Sequence, residues 1–235
     1  VMIARGDLGV EMGPERVPIL QKRIIEQANR RRRLVITATQ MLESMTQHLR
    51  PTRAEASDVA NAVFDGTDAV MLSAETAIGA HPIETVQVMD RIIRAAEEGS
   101  EPGVVPKRQT DFGDMSLPEA ICTAASSAAA ATAASAIIAF SELGSTARLI
   151  SKQRPAAPII AFTPFEPVRC QMALYWGVLP HTMQQIAQTD ERIHEAGRRL
   201  KSEGLVKPGE RIVILSGTQI GQPGGTNLIM LQEVG

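Results

Sequence analysis

The chain predicts an α/β fold in two parts. The first is a partial (β/α)8 TIM barrel, its last three βα units, over residues 1–99; a linker follows over 100–115. The second, over 116–235, is a small α/β sandwich C-terminal domain with a mixed, mostly parallel five-stranded sheet. Three observations predict this. From Val1 to about Gly99 an apolar run, a polar loop and an amphipathic helix recur three times with a period of about 33 residues. Residues 99–115 (GSEPGVVPKRQTDFGDM) then break every periodicity, with three Gly and two Pro. After Ser116 a second alternation of helices and short apolar strands begins, and it ends in a Gly-rich loop and a last strand.

The strands of the first part are expected at Val1 to Ala4, Leu34 to Ala38 and Ala69 to Leu72, and the helices near Val17 to Arg32, Ala54 to Phe64 and Ile83 to Glu97. The strands are continuously apolar, a pattern of burial on both faces. Thr52 with Glu55 reads as a capping box, and Pro14 and Pro82 precede helical runs, where a missing N–H costs nothing. A barrel spends roughly 250 residues on eight units, about 31 each, so three units of this length fit part of one. The same three units can also open a doubly wound sheet.

In the second part, Ser116 with Glu119 reads as a capping box opening a long Ala-rich helix. Strands follow at Ala136 to Phe140, Pro158 to Phe162, Val178 to Thr182, Arg211 to Leu215 and Asn227 to Gln232. The last comes after a loop short enough for a hairpin and is expected antiparallel.

Composition narrows the function classes. With 235 residues, 44% of them hydrophobic, the chain can bury one large core or two modest ones. A formal net charge of −2 gives no global reason to bind nucleic acid or an anionic membrane. The run Arg30 to Arg33 closes a helix, where cations suit the negative end of the dipole. No apolar run reaches the roughly 18–20 residues of a membrane span, and Val1 opens directly in a strand-like run without the regions of a signal peptide. Cys122 and Cys170 read as buried thiols rather than a disulfide framework, which fits a cytoplasmic setting.

Chemistry concentrates where the strands end. The first strand runs into ARGDLG (Ala4 to Gly9), the second into TATQMLESM (Thr37 to Met45) and the third into MLSAETAIG (Met71 to Gly79). Barrel enzymes build their sites at this end of the strands. Asp7 has the hard oxygen donor that suits Mg²⁺, and Gly6 allows a backbone N–H to approach an anion closely; Asp7 as a helix cap is the plain structural alternative. Hydroxyls and carboxylates on three neighbouring strand ends converge in a barrel, as a phosphorylated substrate needs. A second site is FSELGSTARL (Phe140 to Leu149). There Ser141, Ser145 and Thr146 with the N–H groups near Gly144 form either a phosphate cradle at a helix start or ordinary N-capping. His48, His81, His181 and His194 lack metal-ligand spacing and read as surface or packing residues.

The stretches VMIARGDLGVE, VITATQMLESM and RPTRAEASDVANAVFDGTDAVMLSAETAIG, with the late GGTN loop, resemble the pyruvate kinase family along essentially the whole chain. The resemblance implies phosphoryl transfer from phosphoenolpyruvate to ADP, with Mg²⁺ (or Mn²⁺) and K⁺ as cofactors. It implies Asp7 as the divalent-metal ligand, Gly6, Asp7 and Thr39 as substrate-binding, and Arg5 and Thr39 as catalytic. It also implies that a catalytic lysine, a second metal carboxylate, the K⁺ ligands and a lid domain belong to strands absent here, so these 235 residues alone are expected to be inactive. Ser141, Gly144, Ser145, Thr146, Gly224 and Gly225 match the family's effector phosphate site. With no Arg, Lys or Trp in the closing loop, Gly217 to Asn227, a sugar monophosphate or AMP is expected rather than a bisphosphate. A homotetramer is implied. An effector-binding and oligomerisation module without catalysis is the alternative reading.

Overall fold

A computed structural model of the chain describes residues 1–99, 115–186, 188–217 and 225–235. The chain divides into two compact units, residues 1–107 and 108–235. The expected linker, 100–115, lies outside the described residues except for Met115.

The first unit is a three-stranded parallel sheet in the order β1 (Met2–Ala4), β2 (Ile36–Ala38), β3 (Ala69–Met71). Met2, Ile3 and Ala4 pair with Ile36, Thr37 and Ala38, which pair in turn with Ala69, Val70 and Met71. Parallel neighbours need crossovers, and α2 (Val17–Arg30) and α3 (Arg53–Phe64) supply them. After β3 come the single turn α4 (Ala74–Ala77) and α5 (Pro82–Glu98). Val59 and Ala62 of α3 and Val88 and Met89 of α5 enclose Met41, Leu42 and Met45 in one apolar cluster.

Two expectations for this unit change. The residues after β1 are not a loop: α1 (Arg5–Met12) begins at once. Nor are the three strands buried on both faces. Met2 is 56% exposed and β3 is half-buried throughout, because β1 and β3 are the edges of this sheet and only the central β2 has a strand on each side.

The predicted capping box of α3 is present. Glu55 N–H donates to Thr52 Oγ1 (3.2 Å), while Glu55 Oε2 accepts from the Thr52 N–H (2.7 Å). Glu55 also accepts from the Ser44 N–H (2.7 Å) and hydroxyl (2.6 Å), so it ties α3 to the loop after β2. Burial raises its pKa, but these hydrogen bonds to Ser44 and Thr52 outweigh it and hold the carboxyl below its ordinary 4.5. A depressed carboxyl stabilises the fold above its unfolded pKa and loses that contribution as pH falls from about 4.5 through the lower folded value. Urea midpoints at pH 7 and pH 3 are therefore expected to differ more for the wild type than for Glu55→Gln. Equal differences would remove Glu55 from the acid response.

The second unit is a five-stranded sheet of order β6-β5-β4-β7-β8, comprising β4 (Ala136–Phe140), β5 (Ile159–Thr163), β6 (Val178–Thr182), β7 (Arg211–Gly217) and β8 (Thr226–Glu233). All pairings are parallel except β7 with β8, which is antiparallel as expected. Every residue of β4 and β5 is buried, so here the continuous apolar pattern has its predicted meaning. On one face Ile138, Phe140, Ile160, Phe162, Ile212 and Ile214 meet Ile193, Ala196 and Leu200 of α9 (Thr189–Ser202). On the other side lie α6 (Leu117–Ala131), opened by a Ser116 N–H bond to Glu119 Oε2 (2.9 Å), and α7 (Ser145–Ser151). The remaining crossover is α8 (Glu166–Met172). Both cysteines are free. Burial pushes the Cys122 thiol up to about 12, which keeps it protonated. Cys170 is exposed, not buried as expected, because it lies on the outer side of α8 beside Glu166 and Arg169.

Candidate functional site

The ends of β1, β2 and β3 are joined by two buried charged side chains. Arg5, only 6% exposed, sends its guanidinium across to the chain after β2. Nε and NH2 donate to the Thr39 carbonyl (3.0 and 2.6 Å), and NH2 also donates to the Gln40 carbonyl (2.7 Å). Asp58 of α3 pairs with NH1, and the buried Gln21 of α2 lies at 3.5 Å from it. Glu75 of α4, 2% exposed, makes the second link: Oε1 accepts from the Leu42 N–H (3.1 Å) and Oε2 from the Ser73 N–H (2.7 Å). A buried charge is tolerated only when hydrogen-bonded in this way.

The carbonyls that Arg5 holds belong to an unusual backbone. Thr39 (φ 68°) and Gln40 (φ 53°) are successive non-glycine residues in the left-handed region, and for a β-branched Thr this is a true outlier. The consequence is local and chemical. Thr39 Oγ1 comes within 3.0 Å of the Gly6 N–H and accepts from it. That N–H is one of the first donors of α1 that have no partner within the helix, and α1 has no side-chain cap at Ala4. A Cβ on Gly6 would meet only Thr39 Oγ1, at 3.7 Å, so packing within the chain does not demand glycine there.

Arg5, Gly6 and Thr39 are thus brought together. Asp7 stands exposed in the first turn of α1, apart from the Arg5 network. Among the described residues there is no group of three or more His, Cys, Asp or Glu that could hold a metal ion. Asp58 and Gln21 were not foreseen from the sequence, because each is a polar residue whose partner lies on another element; Glu75 was counted only among the strand-end carboxylates, and the structure turns it inward.

At the far loop, Gly144 caps α7 in the left-handed conformation (φ 79°), with Met172 Cγ and Tyr175 OH at 3.4 Å from where a Cβ would sit. Ser141, 4% exposed, accepts from the Thr146 N–H (3.1 Å) and the Ala147 N–H (3.5 Å), the bonds of a cap. Thr146 Oγ1 lies 2.6 Å from Thr226 Oγ1. Ser145 is half-buried and Gly225 exposed, while Gly224 lies outside the described residues.

One further residue reaches these strand ends. Arg192 of α9 lies over the Phe140 ring at 4.6 Å and donates through NH2 to Ser216 Oγ. Burial lowers its pKa, and its Nε has no partner among the described residues. The signal for it was present in the sequence, since 192, 196 and 200 share one helix face and the last two, Ala196 and Leu200, are core.

Known proteins extend this picture. Residues 1–86 match the family description "Pyruvate kinase, barrel domain" and residues 119–232 match "Pyruvate kinase, alpha/beta domain". Over the whole chain it is similar to a pyruvate kinase of Clostridium perfringens (44% identical, covering 50% of that protein) and one of Sporosarcina psychrophila (45%, covering 40%). It is also similar to pyruvate kinase 2 of Synechocystis (47%, covering 39%). Among solved structures, that of a pyruvate kinase from Cryptosporidium parvum superposes with a TM-score of 0.90 at 40% identity, over all of this chain and 46% of that one. The chain therefore spans half or less of the length of these relatives.

Proposed function

We propose, for a chain that belongs to the pyruvate kinase family, that it forms part of a protein transferring a phosphoryl group from phosphoenolpyruvate to ADP, giving pyruvate and ATP. In this reading residues 1–99 are the last three βα units of a (β/α)8 barrel, 100–115 a linker and 116–235 an effector domain. The observation that carries the catalytic assignment is the bond from Gly6 N–H to Thr39 Oγ1 beside the exposed Asp7, at the strand ends where barrel sites are built.

Each residue then has a task. The substrate carboxylate is received at the N-terminus of α1 by the Asp7 N–H and by the Gly6 N–H, which it shares with Thr39 Oγ1. Gly6 leaves room for it, which accounts for a glycine that packing does not require. Arg5 is a positioning residue in this reading, because its guanidinium is spent on Thr39, Gln40 and Asp58. Breaking the phosphorus–oxygen bond to the enol oxygen leaves an enolate that takes a proton to become pyruvate.

The divalent cation, Mg²⁺ or Mn²⁺, would be held here by Asp7, an oxygen donor of the right kind, with a second carboxylate expected from outside these residues. Bound, it offsets the charge of the phosphoryl group in transit. These residues supply one carboxylate for it and no assigned set for K⁺, so we expect no turnover from these 235 residues alone. A coupled assay for pyruvate formation with Mg²⁺ and K⁺ on the folded chain tests this. Turnover of roughly 1–100 per second, ordinary for kinases, would overturn it.

For the second unit we propose a regulatory site for a phosphorylated effector, at Ser141, Gly144, Ser145, Thr146, Gly224 and Gly225, with Arg192 as its cation. With no Arg, Lys or Trp between Gly217 and Asn227, the half-buried Arg192 guanidinium suits a monophosphate, such as a sugar monophosphate or AMP, better than a bisphosphate. Apolar side chains such as Val10 (89% exposed), Ile78 (83%) and Ile19 (69%) would be covered by the remaining barrel units or by another copy in a homotetramer. The cytoplasm suits two free thiols.

A further inference from the structure

We propose that Asp58 is a positioning residue for the strand-end site: it fixes Arg5, through which the left-handed Thr39–Gln40 backbone is held and the Thr39 hydroxyl is aimed at the Gly6 N–H. The inference rests on reading that site as the one that receives the substrate carboxylate.

A left-handed Thr persists only where its surroundings over-determine it. Here the determinant is a planar fork. Two nitrogens of Arg5 clamp the Thr39 carbonyl and one of them also takes the Gln40 carbonyl. A guanidinium has fixed donor directions, so the direction of NH1 sets that of the other two. Two acceptors face NH1. Gln21 Oε1 stands at 3.5 Å, the limit of a hydrogen bond, and its amide is already drawn away to Asp65 Oδ2 (3.1 Å). Asp58 Oδ2 is the close, charged one. Arg5 itself is 6% exposed, while the Asp58 side chain is 40% exposed on α3. The carboxylate thus holds the buried cation from the solvent side, an outer partner that orients a group that orients the site.

The Gly6 amide reports this chain of contacts, because Thr39 Oγ1 is its acceptor and nothing else on α1 caps it. The test is amide hydrogen exchange, by NMR, on the whole chain as wild type, Asp58→Asn and Asp58→Ala. The Asn variant keeps an acceptor oxygen and loses the charge. We expect Gly6 to exchange roughly tenfold faster or more in Asp58→Ala, with Asp58→Asn in between, while Val88 in the core of the same unit keeps its wild-type rate. Equal acceleration of Gly6 and Val88 would mean general destabilisation and overturn the proposal. So would an unchanged Gly6. If Asp58→Ala fails to fold by circular dichroism, Asp58→Asn decides by the same comparison. A parallel titration with phosphoenolpyruvate and Mg²⁺ follows the Gly6 and Asp7 resonances. Shifts in the wild type that weaken in the variants support both ideas. No shift in the wild type overturns the carboxylate reading, and with it any role of Asp58 in substrate binding, whereas the exchange comparison alone judges the fixing of Arg5.

Discussion

Replacing Arg5 by Ala is expected to lower the unfolding free energy of the first unit by about 1 to 3 kcal/mol. Truncation takes every side-chain donor from the Thr39 and Gln40 carbonyls at once. A buried acceptor left unsatisfied costs about 1 to 3 kcal/mol; the half-buried Thr39 carbonyl bears this cost, whereas the exposed Gln40 can turn its carbonyl to water. Asp58, 40% exposed, can return to water, so its lost pairing adds little. The left-handed Thr39 would also lose its clamp and relax toward ordinary backbone, which recovers some of the loss and takes Thr39 Oγ1 away from Gly6. Circular dichroism and exchange of the Val59 and Val88 amides follow the unfolding. Trp176 is on the other unit, so its fluorescence is not a report on this one. A change under about 0.5 kcal/mol, the range of an ordinary surface substitution, would show that Arg5 does not hold the strand ends.

What the sequence could disclose follows from which interactions are local. The β4 and β5 strands, the capping box at Thr52 and Glu55 and the antiparallel last strand rest on runs of apolar residues, on residues three apart or on a short reversal, and they were legible. Helix α1 was not. ARGDLGVEM contains two Gly and no apolar periodicity, and its first turn is completed by a hydroxyl from beyond β2, 33 residues away. The same holds for the strand ends. That polar residues cluster there could be read along the chain, and family resemblance pointed to Arg5, Gly6, Asp7 and Thr39. That Arg5 is buried and saturated, and that Glu75 turns inward to bind two N–H groups, depends on side chains meeting across elements. Arg192 stands between the two cases. Its helical phase placed a cation on the core face, but its partners Phe140 and Ser216 come from strands flanking it by tens of residues on either side.

Gly79→Ala is expected to cost about 3 kcal/mol, near the upper end of what overpacking does, and to act at the site rather than merely near it. A Cβ there would stand 2.4 Å from the Glu75 carbonyl oxygen, 3.0 Å from its carbonyl carbon and 3.2 Å from Thr46 Cα. All three are backbone atoms, so no side chain can swing aside. The turn α4 must move instead, and with it Glu75, whose carboxylate joins the end of β3 at Ser73 to the segment after β2 at Leu42. Overpacking elsewhere in the unit, for example Ala62→Val in the apolar cluster, would cost stability without reaching this joint. The two variants therefore separate by readout. Both should lower the denaturation midpoint, but only Gly79→Ala should speed exchange of the Leu42 and Ser73 amides beyond the global change. If those amides follow the global rate in both variants, Glu75 is not what holds the strand ends together, and the convergence of β2 and β3 must come from the sheet alone.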